Sequence, residues 1–88
     1  MKEVYYQSDG YAKYYVEKLS DLLSMLKVEI SEYQYEKGKE ELDNLYNDVC
    51  KKLEKIKAHQ FVECCGYYWG MTEMTEKEFN SLPDFEGF

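Results

Sequence analysis

Between Tyr11 and Tyr35 the apolar residues of this chain recur at helical spacing. At 100° per residue, Tyr15, Leu19, Leu22, Leu23, Leu26, Ile30 and Tyr33 share an arc of about 100°. Ser8 and Asp9 stand just ahead as N-cap residues, whose side-chain oxygens accept the first free N–H groups of a helix. The spacing predicts one helix over residues 10–35. An alternative stays open, in which Val28 and Ile30 end that helix early as an extended piece.

Lys37-Gly38-Lys39 is the expected break, because glycine suits a helix C-terminus. Leu42, Leu45, Tyr46, Val49, Leu53 and Ile56 then form a second stripe, which predicts a helix over 39–58. Glu40 and Glu41 open it, and Lys51, Lys52, Lys55 and Lys57 crowd its end, the order the helix dipole prefers. A short connection makes the two helices antiparallel neighbours. Residues 1–8 suit a strand, and residues 60–72 one or two short strands turning at Gly66. Thr75-Glu76-Lys77-Glu78 has capping-box spacing and predicts a short helix over 75–82, which carries Phe79 and Leu82 and stops at Pro83. Residues 83–88 form an acidic, aromatic tail that either folds back over the core or docks elsewhere. The expected fold is a single α+β domain, mainly helical: an antiparallel helical hairpin, then a small β element, then a short C-terminal helix.

Eighty-eight residues make a small core, and the stability of such a chain is marginal. The net charge is −7, and all eleven basic residues are Lys. Arginine, which grips phosphate with a planar fork, is absent. Both facts argue against direct binding of nucleic acid or docking on anionic lipid, and they favour a basic protein partner. Three cysteines, and no apolar run long enough for a signal or a span, read as a cytoplasmic chain with reduced thiols.

Chemistry-bearing constellations are few. Cys50, His59, Cys64 and Cys65 are the one set with metal-ligand character, but their spacing lacks the paired ligands of a zinc site. They read as small hydrophobes and a boundary histidine. A Cys–His nucleophile pair needs an orienting group and an oxyanion donor set, and nothing marks either. Eighteen acids offer many carboxylate pairs, yet acid–base work needs a pocket that shifts one pKa. No phosphate-cradling glycine loop or nucleophile elbow occurs. The expectation is a protein without catalytic residues, metal or cofactor.

The outer face of the first helix is the most informative feature. With Glu17 at zero, Asp21, Glu32, Glu36 and Glu29 fall at about 40°, 60°, 100° and 120°, opposite the leucines. Tyr14, Met25, Val28 and Tyr35 point the same way. Like charges at helical spacing repel by some tenths of a kcal/mol per close pair. A solvated face would account for them. The sharper reading is a binding surface formed by Tyr14, Glu17, Asp21, Met25, Glu29, Glu32, Tyr35 and Glu36, whose carboxylates stand in for a row of phosphates in a basic partner's channel.

In size, acidity and lack of catalytic residues the chain is similar to small phage-encoded inhibitors of bacterial defence, including anti-CRISPR proteins. That similarity is one of composition and assigns no residue roles; it implies a protein that binds and blocks. Two other functions stay open. One is a self-assembling helical module, since two apolar stripes under a short C-terminal segment suit a homodimeric bundle. The other is a thiol or zinc protein built on Cys50, His59, Cys64 and Cys65.

Overall fold

The computed structural model describes residues 1–33 and 38–88, the side chain of Tyr33 excepted. Its centre is a four-stranded antiparallel sheet of order β2-β1-β4-β3. The strands are β1 (Lys2–Ser8), β2 (Lys13–Val16), β3 (Gln60–Cys64) and β4 (Tyr67–Met74). The helices are α1 (Leu19–Tyr33), α2 (Lys39–Glu54) and α3 (Glu76–Asn80). The two central strands come from opposite ends of the chain and pair over seven residues, from Lys2 opposite Met74 to Ser8 opposite Tyr68.

This architecture overturns the expected helical hairpin with a minor β element. Lys13–Val16, placed above in a helix over 10–35, is edge strand β2, and α1 begins only at Leu19. The reason is local. Asp9 does use its side chain to collect backbone N–H groups, from Tyr11 and Ala12, both at 2.8 Å. Those bonds close a turn rather than open a helix, because Asp and Ser side chains stabilise both. The chain then doubles back, and Tyr14, Tyr15 and Val16 lie opposite Gln7, Tyr6 and Tyr5. β-branched and aromatic residues favour that pleated setting. The second helix is also shorter than the predicted 39–58, ending at Glu54.

Two helices cover one face of the sheet. α1 lies against β1 and β2, α2 against β3, and the helices pack on each other. Leu22, Leu26 and Ile30 of α1 and Val49 and Leu53 of α2 meet Trp69 and Cys64 of the sheet, and all are buried. Each such aliphatic side chain contributes roughly 1.5–3 kcal/mol on burial. So the stripes read from the sequence are real, and they are buried against the sheet as well as against each other.

Strands β3 and β4 form a tight hairpin whose turn residues, Cys65 and Gly66, have φ of 58° and 78°. Paired positive φ values match the right-handed twist of the strands. After β4, Thr75 caps α3: its hydroxyl accepts from the Glu78 N–H, and the Glu78 carboxylate accepts from the Thr75 N–H. Lys2 ties this end together, contacting Glu17 at 2.7 Å and Glu76 at 3.1 Å with its ammonium over the Phe79 ring. No helix among the described residues is long and apolar enough to cross a membrane.

Candidate functional site

The structure divides the eight predicted surface residues into three groups. Asp21, Met25, Glu29 and Glu32 all lie on α1, and at 3.6 residues per turn they share an arc of about 80°. Val28, 53% exposed, stands in the same flank. Asp21 and Glu32 are exposed and Glu29 is half-buried, while Met25 packs against the core. Tyr14 and Glu17 are not on the helix. Tyr14 sits on β2, and Glu17 lies past its end with its carboxylate on Lys2. Tyr35 and Glu36 lie outside the described residues.

What the sequence reading did not supply is the link between Tyr14 and α1. It runs through the tail. The Tyr14 ring meets Phe85 edge-on at 5.0 Å, Phe85 meets Phe88 at 4.8 Å, and Phe88 meets Tyr67 at 5.0 Å. Tyr67 in turn lies 6.1 Å from Trp69, the centre of the core. These separations are those of favourable aromatic pairs. The tail thus folds back across the end of the sheet, but Phe88 stays 48% and Tyr14 37% exposed. The only sequence signal for this row was the alternation of acids and aromatics over residues 83–88.

Tyr67 joins the rings to the acids. Burial pushes its phenol above the usual range, and the carboxylates of Glu29, Asp9 and Glu32 push it further. The end of the sheet is therefore an aromatic row whose Tyr67 ring lies in the negative field of Glu29, Asp9 and Glu32. Such a surface suits a cation, which gains both from charge and from ring faces.

Asp9 is held below the usual carboxylate range by the backbone N–H groups of Ala12 and Tyr11, and the other shifted groups are all raised. Burial raises Tyr6, Tyr15 and Cys64, and a hydrogen bond to Cys50 raises Tyr46. The Glu17 carboxylate raises Lys2. A folded-state pKa above the unfolded one contributes stability that is complete below the ordinary value and lost as pH climbs through the folded value. The ordinary values here are 9.0 for the thiol and 10.0 for the phenols. The urea midpoint should therefore stay level from about pH 6 to 8 and fall steadily above about pH 9. A midpoint unchanged at about pH 10.5 would contradict this account of the buried phenols.

The cysteine and histidine set does not assemble. Cys64 and Cys65 place their sulfurs 3.4 Å apart, Cys50 bonds Tyr46, and His59 faces Thr72 at 3.4 Å. Among the described residues no three His, Cys, Asp or Glu side chains converge as metal ligands. No protein-family model matches this chain, and neither does any curated protein or solved structure.

Proposed function

We propose that this chain is a non-enzymatic binding protein that occludes a basic, nucleic-acid-handling partner with its acidic, aromatic end. The observation that carries the reading is the continuous row Tyr14–Phe85–Phe88–Tyr67, whose last ring packs on the core that α1 helps to form, the helix that carries Glu29 and Glu32. Partly exposed rings are the anchors from which interfaces draw most of their energy, and carboxylates around them select a cationic surface. The charge of −7 adds long-range steering toward such a partner.

A helical self-assembly module has less to drive it, since Leu22, Leu26, Ile30, Val49 and Leu53 are already buried within one chain.

The test is affinity capture with identification by mass spectrometry, followed by binding measurements on the purified partner. Asp21→Lys, Glu29→Lys and Glu32→Lys together should weaken binding by more than about tenfold and flatten its salt dependence. Glu17 is left intact because its reversal would also break the contact with Lys2. Unchanged affinity in a variant with the native circular dichroism spectrum would end this reading.

A further inference from the structure

A groove of about 600 Å³ runs along the outer edge of the sheet, between β2 and the returning tail. Its walls include four aromatic rings, Tyr14, Tyr15, Phe79 and Phe85. Its charged residues are one ammonium, Lys13, and two carboxylates, Asp84 and Glu86, so the lining is net negative. Lys13 is already placed, with its Nζ 4.8 Å from the centroid of the Tyr6 ring. Among the described residues no ion pair or side-chain hydrogen bond engages Asp84 or Glu86.

We propose that this groove receives an arginine side chain carried on an extended segment of the basic partner. The inference rests on the binding reading above and names the group that would be recognised. Three features select arginine over other cations. The guanidinium is weakly hydrated and stacks on ring faces, which suits a groove walled by aromatics. Its planar fork of donors matches carboxylates, which a quaternary ammonium cannot do. Lysine carries a strongly hydrated point charge that gives up more on entering a ring-lined groove. The protein has no arginine of its own to compete for the place. Because β2 is an edge strand, a segment lying in the groove also borders its open edge, the setting in which extended peptides add to sheets.

The probe is a capped glycine–arginine–glycine tripeptide, titrated into the full chain and followed by amide chemical shifts. Shifts should concentrate at residues 12–15 and 79–87. The lysine tripeptide should bind at least about fivefold more weakly and the neutral citrulline tripeptide not measurably. Asp84→Asn with Glu86→Gln, exposed positions that leave the core untouched, should weaken the arginine tripeptide roughly tenfold. Phe85→Leu should weaken it too. Equal shifts from the arginine and citrulline peptides, shifts confined to other residues, or an unaffected double variant would each overturn the proposal. Two failures are distinguishable. If the α1 triple variant loses the partner while the arginine peptide leaves the groove unmoved, the groove assignment falls and the binding reading stands. If the peptide occupies the groove but the triple variant keeps full affinity, the groove stands as an arginine-binding site and the reading of α1 as the occluding surface falls.

Discussion

Trp69→Ala is expected to cost about 3–5 kcal/mol, the range for deleting a large buried aromatic. Trp69 is fully buried among Leu22, Leu26, Leu53 and their neighbours, so its loss leaves a cavity that three elements must share. Its indole N–H also donates to the Cys64 carbonyl at 2.9 Å, which would lose that donor. A chain of this size has a total stability of roughly 4–13 kcal/mol at 0.05–0.15 kcal/mol per residue. The variant should therefore be substantially unfolded or melt at a much lower urea concentration by far-ultraviolet circular dichroism. Trp69→Phe keeps most of the volume and should fall between the two. A near-native midpoint for Trp69→Ala would mean that the core does not close around this ring.

Gly70→Ala is the second large effect, and it comes from too little space. Gly70 faces Tyr6 across the central strand pair, and the Tyr6 ring lies over it. A methyl group there would come within 2.6 Å of the Tyr6 hydroxyl oxygen and 2.6 Å of the Gln60 carbonyl oxygen. The tyrosine ring can swing aside, but the carbonyl belongs to the backbone of Gln60, the first residue of β3, so a strand must move. Forcing atoms into such a site costs about 1–3 kcal/mol, and Gly70→Val should exceed that. Adding Tyr6→Ala to Gly70→Ala should relieve the ring contact and leave the carbonyl contact. The two substitutions should then be non-additive in urea titrations. An unchanged midpoint in Gly70→Ala would show that the close approach of Tyr6 and Gln60 is not a constraint on the fold.

Much of the local structure was legible from residue patterns. The periodicity of Leu19 to Ile30 marks the buried side of α1, and that of Leu42 to Leu53 marks α2. The Thr75–Glu78 spacing marks a capping box that the structure contains. The error at residues 10–18 has a specific origin. Asp9 followed by a polar and aromatic stretch satisfies the rule for a helix start and the rule for a turn equally well. Only a pairing partner decides between them, and that partner is β1, on its way to β4 from the other end of the chain. The weight of the sheet was missed for the same reason, since pairing between residues 60 to 72 positions apart leaves no short-range signature.

The same division holds for the candidate site. Side-chain spacing alone determined that Asp21, Met25, Glu29 and Glu32 would share a flank of a helix, because that follows from 3.6 residues per turn. The acidic balance and the absence of arginine were likewise fixed by composition. Tertiary structure alone decided that Tyr14 leaves the helix, that Glu17 is taken up by Lys2, and that Phe85 and Phe88 bridge Tyr14 to Tyr67. The physical reason is range. Helical periodicity is written by neighbours three and four residues away, whereas sheet order and the path of the tail depend on which distant segments bury each other's surfaces.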